Sequence, residues 1–108
     1  MVKQRQGKLW GYKPTAEHKR YYGGFELAEL NDRFEIWCLS ILEKHRNQGH
    51  ATQMLTEFLA QFKFEKPLYL YVYKTNEIAI RLYKKVGFAI IGDYKYGDYA
   101  YTMQYVGT

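Results

Sequence analysis

The rhythm of apolar and polar positions changes several times along the chain, and each change marks an element. Over residues 25–30, FELAEL alternates Phe25, Leu27 and, less regularly, Leu30 with Glu26 and Glu29, the period of a half-exposed strand. Asn31 and Asp32 supply turn chemistry, and RFEIWCLSIL (residues 33–42) is nearly all apolar after Glu35, which predicts a hairpin whose second strand is central in a sheet. The period then lengthens. Ala51, Met54, Leu55, Phe58, Leu59 and Phe62 fall on one face of a helix beginning near Ala51 or Thr52. PLYLYVY (residues 67–73) sets Leu68, Leu70 and Val72 opposite Tyr69, Tyr71 and Tyr73; both faces are bulky, as in an interior strand. A second helix follows, with Asn76 as its N-cap, Ala79, Leu82, Tyr83 and Val86 inward, and Gly87 at its left-handed end. Residues 88–105 predict a closing antiparallel hairpin that turns at Gly97 and Asp98 and alternates Tyr99, Tyr101, Met103 and Tyr105. The tyrosine alternation in both stretches reads most simply as sheet packing, with an aromatic acceptor groove as the lesser reading.

The first 24 residues carry a weaker rhythm: residues 8–12 suit a short strand, and residues 14–22 a helical turn or two stopped by Gly23 and Gly24. The order from residue 25 on is strand, strand, helix, strand, helix, strand, strand. One mixed α/β domain over residues 1–108 is expected, with residues 1–24 as a short basic segment.

Composition narrows the class of protein. The 108 residues are 47% hydrophobic and 25% charged with two prolines, the makeup of an ordinary globular chain. The apolar runs are short, and MVKQRQGK at the start has no hydrophobic stretch behind it, so neither a membrane span nor a secretory leader is expected and the cytoplasm is the default location. The lone Cys38 has no disulfide partner and reads as a small buried hydrophobe. No Cys/His spacing suggests a metal site. The net charge of +5 lies entirely in residues 1–25, which suits either a solvated end or an arm that meets an acidic partner.

The candidate chemistry begins at EKHRNQGHAT (residues 43–52), between the central strand and the first long helix. Amides at a helix start point at whatever binds there, on the positive end of the helix dipole. Gly49 has no Cβ to bar a phosphate, Ala51 and Thr52 keep the first turn small, and Lys44 and Arg46 add positive charge. The segment reads as a cradle for a pyrophosphate. Neither the P-loop pattern nor the dinucleotide glycine pattern is present.

Arg46-x-x-Gly49-x-Ala51 resembles the acetyl-coenzyme A signature, Q/R-x-x-G-x-G/A, of the GNAT superfamily of N-acetyltransferases. NEIAIRLYKKVGF (residues 76–88) resembles the family's N-x-x-A-x-x-x-Y-x-K-x-G-F helix and following strand, at about the expected distance. The resemblance covers roughly residues 22–108. It implies a mixed, mostly antiparallel sheet with two main helices and, here, a shortened N-terminal region. It also implies a strand that splays from its neighbour to admit the pantetheine arm of acetyl-coenzyme A. By resemblance, the backbones of Leu39 and Ile41 bond that arm and Asn76 contacts it. Arg46, Asn47, Gln48, Gly49, His50, Ala51 and Thr52 would hold the pyrophosphate, and Tyr83 would protonate the departing thiolate.

The implied chemistry is amine attack on a thioester, and a free lysine, with a pKa near 10.4, needs a base or a water chain to become neutral. Glu35, eleven residues before Arg46, stands where histone-acetyltransferase-like members carry a catalytic glutamate; an ordinary polar residue beside the turn is its other reading. His45 and His50 read as solvated loop residues that can lean on a phosphate. Family members usually place a strand, two helices and another strand ahead of the hairpin, and only 24 residues precede Phe25 here. The acceptor wall is therefore expected to be open or completed by another chain, a homodimer included.

The expected activity is acetyl transfer to a primary amine, on a protein or a small molecule, with an exposed protein lysine or amino group favoured by the open site. The competing readings are a catalytically degenerate module of the same fold that binds the coenzyme or a protein, and an RNA-binding module. The last rests on KVGFAIIG (residues 85–92) and a tyrosine-rich sheet, but its lysine is displaced and Gly92 stands where a stacking aromatic belongs.

Overall fold

The computed structural model describes residues 1–107. The strands are β1 (Val2–Gln6), β2 (Leu9–Tyr12), β3 (Gly23–Glu29), β4 (Phe34–Ile41), β5 (Leu68–Tyr73), β6 (Phe88–Tyr94) and β7 (Gly97–Tyr105); the helices are α1 (His50–Gln61) and α2 (Glu77–Val86). The strand order is β1-β2-β3-β4-β5-β7-β6. β4 and β5 are parallel, whereas β1/β2, β2/β3, β5/β7 and β6/β7 are antiparallel. This is the mixed, mostly antiparallel sheet with two helices expected from the sequence.

The chain forms two compact units. The first comprises residues 1–28 and 36–63. Its core is aromatic: Trp10 meets Phe58 edge to face at 5.0 Å, Phe25 meets Phe58 at 4.8 Å, and Tyr12, Met54 and Leu55 are fully buried beside them. Such edge-to-face pairs add to the burial of their area. The helical rhythm read from Met54, Leu55 and Phe58 is thus the face that packs.

Two N-terminal expectations need correction. Residues 14–22 hold no helix, and residues 2–6 form an additional strand paired with β2. In VKQRQ only Val2 is buried, so an edge strand with both faces wet shows no alternation to read. Residues 13–22 instead wrap the outside of the unit, and the Tyr21 ring lies over Gly11, where a Cβ would stand 2.6 Å from it.

The second unit holds residues 29–35 and the chain from Phe64 on. Leu30 N–H donates to the Arg33 carbonyl across the Asn31-Asp32 turn at 2.8 Å, and β4 and β5 pair at Phe34↔Leu68 and Glu35↔Tyr69. Leu68, Leu70 and Val72 are buried in β5, with Val86, Phe88, Ala100 and Met103 around them. The final hairpin turns at Lys95 and Tyr96, two residues before the expected place, because Tyr94 pairs with Gly97. A Cβ on Gly97 would stand 2.0 Å from the Tyr99 ring, so this glycine serves a close approach within the strand.

Cys38 also departs from expectation. It is exposed and adopts φ of 55° within β4. A left-handed residue inside a strand breaks the two-residue alternation. Buried residues Phe34, Glu35 and Ile36 accordingly give way to an outward-facing stretch before Ile41.

Candidate active site

The first unit carries the glycine turn. β4 ends at Ile41, a short 3₁₀ turn spans Glu43–His45, and Asn47 and Gly49 both take left-handed conformations, φ 62° and 82°. Gly49 is the N-cap of α1, and no side chain caps the helix start. The amides that other helices satisfy with a Ser, Asp or Asn are open to a ligand. A Cβ placed on Gly49 meets nothing within 4 Å. Arg46, Asn47, Gln48 and Gly49 are exposed, and His50, Ala51 and Thr52 are half-buried, so protein does not fill the turn.

Side chains around the turn are more ordered than the sequence suggested. Arg46 Nε donates to the Ile41 carbonyl at 2.9 Å, which anchors its guanidinium at the strand end. The His45 ring stacks flat on Tyr22, 3.4 Å between centroids and 1° between planes, and His50 meets the same ring edge-on at 5.1 Å. His50 Nδ1 shares a 3.1 Å hydrogen bond with the Tyr12 hydroxyl, and its Nε2 lies 3.3 Å from Gln48 Oε1. These histidines are packed, not loose loop residues; Tyr12 and Tyr22, the rings they meet, come from far off in sequence. Burial and the nearby Lys44 charge hold the His45 imidazolium below its ordinary range.

Leu39 is half-buried and Ile41 buried, on the outward-turned part of β4 after Cys38. All of the net charge resides in this first unit, which has nine Lys and Arg against four Asp and Glu, while the second has seven of each. A basic body steers polyanions toward itself.

The second unit contains a pocket of about 350 Å³ lined by Tyr71, Tyr73, Tyr83, Tyr94 and Tyr99, with Asn76 at the start of α2. Asn76 Oδ1 accepts the Ala79 N–H at 3.2 Å, the predicted N-cap. Tyr83 is half-buried on the inner side of α2, and burial raises its phenol pKa. The carboxylate of Glu35 accepts a 2.6 Å hydrogen bond from the Tyr71 hydroxyl, and Arg33 Nε lies 3.6 Å from it. Glu35 is buried, 7% exposed, and Tyr71 is the member of the pair that lines the pocket. Burial, then the hydrogen bond to Glu35, push the Tyr71 phenol far upward.

Sequence reasoning did not single out Tyr71, Tyr94 or Tyr99. Tyr71 and Tyr99 carried one signal, the alternation of tyrosines in β5 and β7, which reads first as packing and only secondly as an acceptor groove; Tyr94, in β6, stands outside that alternation. Among the described residues no cluster of His, Cys, Asp and Glu suits a metal ion, and no helix is long and apolar enough to cross a membrane.

Residues 4–88 match the family model described as the acetyltransferase (GNAT) family. The chain belongs to the GNAT acetyltransferase family. Solved GNAT structures resemble it. An N-acetyltransferase from Staphylococcus aureus Mu50 matches with TM-score 0.71 at 19% identity over 90% of this chain and 68% of that one. A GNAT family acetyltransferase from Elizabethkingia anophelis with acetyl-CoA bound matches with TM-score 0.71 at 22% identity, covering 89% of this chain and 72% of that one. An Arabidopsis thaliana protein in complex with the bisubstrate analogue CoA-Ac-MVNAL matches with TM-score 0.63 at 26% identity over 78% of this chain and 64% of its own. The chain thus spans about two thirds of the length of these GNAT relatives. No curated protein sequence matches it.

Proposed function

We propose that this chain is an acetyl-coenzyme A-dependent N-acetyltransferase whose acceptor is a primary amine, with an exposed protein lysine or amino group as the favoured target. The observation that carries the reading is the open space at Gly49 in front of an uncapped helix start. A diphosphate fits there on charge and on shape, since it can accept the amide N–H groups that no side chain takes.

In this reading Arg46, Asn47, Gln48, Gly49, His50, Ala51 and Thr52 hold the diphosphate, mainly through backbone N–H groups. The main chain at Leu39 and Ile41 bonds the pantetheine arm, and Asn76 contacts it. Acetyl-coenzyme A, when bound, supplies an acetyl group already activated as a thioester. Tyr83 gives its phenolic proton to the departing sulfur, and its raised pKa keeps that proton in place until it is needed. The acceptor, having shed its ammonium proton to solvent, gives up a second proton as its bond to the acetyl carbon forms and the carbon–sulfur bond breaks. Tyr71 relays that proton to Glu35, along the hydrogen bond it already donates.

Calorimetry with acetyl-coenzyme A tests the cradle, and acetyl transfer across a panel of amines tests turnover. Binding with no transfer to any amine identifies a coenzyme-binding module instead. Absence of binding removes the whole reading.

A further inference from the structure

The tyrosine pocket of the second unit holds five aromatic side chains and no charged one. Its rings are arranged in sequence: Tyr71 and Tyr94 are 4.7 Å apart between centroids, Tyr94 and Tyr99 6.2 Å, and Tyr99 and Tyr73 5.8 Å. In a chain with sixteen Lys and Arg, a pocket free of them is selective by composition. Elsewhere in this protein tyrosine rings are covered by resident cations, Arg5 over Tyr21 at 4.3 Å and Lys95 over Tyr96 at 4.8 Å. Lys74, the neighbour of Tyr73, is held by Asp93 at 2.8 Å and lies over Tyr101. Among the described residues none of the pocket's rings has a cation over it. At one side of the pocket, the Tyr71 hydroxyl donates to buried Glu35, so what its own oxygen can offer a ligand is acceptor lone pairs.

From this arrangement we infer that the pocket is a cation box that takes the end of an unbranched primary alkylammonium, a lysine side chain or a short diamine. The inference rests on the acetyltransferase reading above and narrows its acceptor. Ring faces attract an ammonium electrostatically, and their edges and hydrophobic carbons suit its methylene stem. An α-amino group is a poorer guest. Its pKa near 7.7–8.0 leaves it largely neutral at mildly alkaline pH, where an alkylamine near 10.4 remains charged. Tyr83 lines the same pocket, so a bound alkylammonium sits beside the proposed acid.

The test is calorimetry on the whole chain at pH 8.5 with Nα-acetyl-lysine amide, its neutral Nε-acetylated counterpart, and 1,4-diaminobutane. At least one of the two charged probes should bind about tenfold or more tighter than the acetylated compound. Whichever of the two binds tighter identifies the source, protein side chain or free diamine. Tyr94→Leu and Tyr99→Leu should each weaken the charged probe about tenfold, while Tyr94→Phe and Tyr99→Phe stay within about threefold, because the ring face and not the hydroxyl does the binding. Tyr94 and Tyr99 lie on the outer hairpin, 54% exposed at Tyr99, and circular dichroism verifies that the variants fold. Equal affinity for charged and acetylated probes, no binding of either charged probe, or full affinity in the leucine variants overturns the inference. Acetyl-coenzyme A titrated into the same proteins separates the two proposals: its failure to bind sinks the transferase reading alone, and its binding beside a silent cation arm sinks this one alone.

Discussion

Tyr71 and Glu35, paired across 2.6 Å, join the lining of a pocket to a carboxylate that solvent barely reaches. They lie on neighbouring parallel strands, where Glu35 is in register with Tyr69, two residues before Tyr71. A carboxylate with 7% exposure needs donors, and a phenol is a good one because its raised pKa keeps it protonated at rest.

Replacing Tyr71 with Phe should cost about 1–3 kcal/mol of stability, since it removes a donor from a buried charged acceptor. Turnover should fall at least tenfold with acetyl-coenzyme A affinity unchanged. Urea denaturation and steady-state kinetics measure the two effects. Undiminished kcat would remove Tyr71 from the proton path.

Gly49→Glu should abolish coenzyme binding, because a carboxylate then occupies the open space before the helix start. Gly49→Ala isolates the backbone. At φ 82° any L-residue costs about 1–2 kcal/mol, so the alanine variant should melt a few degrees lower yet retain measurable binding. Coenzyme affinity equal to wild type in the glutamate variant would count against the cradle.

Tyr83→Phe should lower kcat more than it changes acetyl-coenzyme A affinity, the pattern for a group that acts in the transition state. Burial raises the Tyr83 phenol above the ordinary 10.0, so as an acid it stays protonated through the neutral range. A pH profile of kcat should show no falling limb from this residue below pH 10. Such a limb at lower pH, lost in the phenylalanine variant, would contradict the assignment.

His45 makes a stability prediction. Its folded pKa lies below the ordinary 6.5, so the unfolded chain takes up protons that the folded chain refuses. Its contribution is present in full above 6.5 and is lost as pH falls through the lower folded value. His45→Phe keeps a flat ring on Tyr22 and removes the titration. The melting temperature of this variant should depend less on pH between about 5 and 7 than wild type, with His18 and His50 common to both proteins. Parallel curves would show that His45 carries none of the dependence.

Several elements were legible before folding because their signals are local. Met54, Leu55 and Phe58 recur at helical spacing, and Leu68, Leu70 and Val72 at strand spacing, and in both cases those residues are buried. The glycine turn was legible for the same reason: strand end, left-handed Gly49 and helix start are contiguous in the chain. Where polar residues cover both faces, as in β1, or where a single residue leaves the pleat, as at Cys38, the pattern carried no signal.

What the sequence alone determined, then, was the order of elements from residue 25 on, the GNAT resemblance and a glycine turn made from one uninterrupted segment. The stacking of Tyr22 on His45 and the pocket of Tyr71, Tyr83, Tyr94 and Tyr99 were decided by tertiary structure alone. Backbone hydrogen bonding and periodicity act over a few residues and can be read along a line. Side chains separated by a dozen residues or more meet only after strand register has been set, and no local rule states which ring will face which.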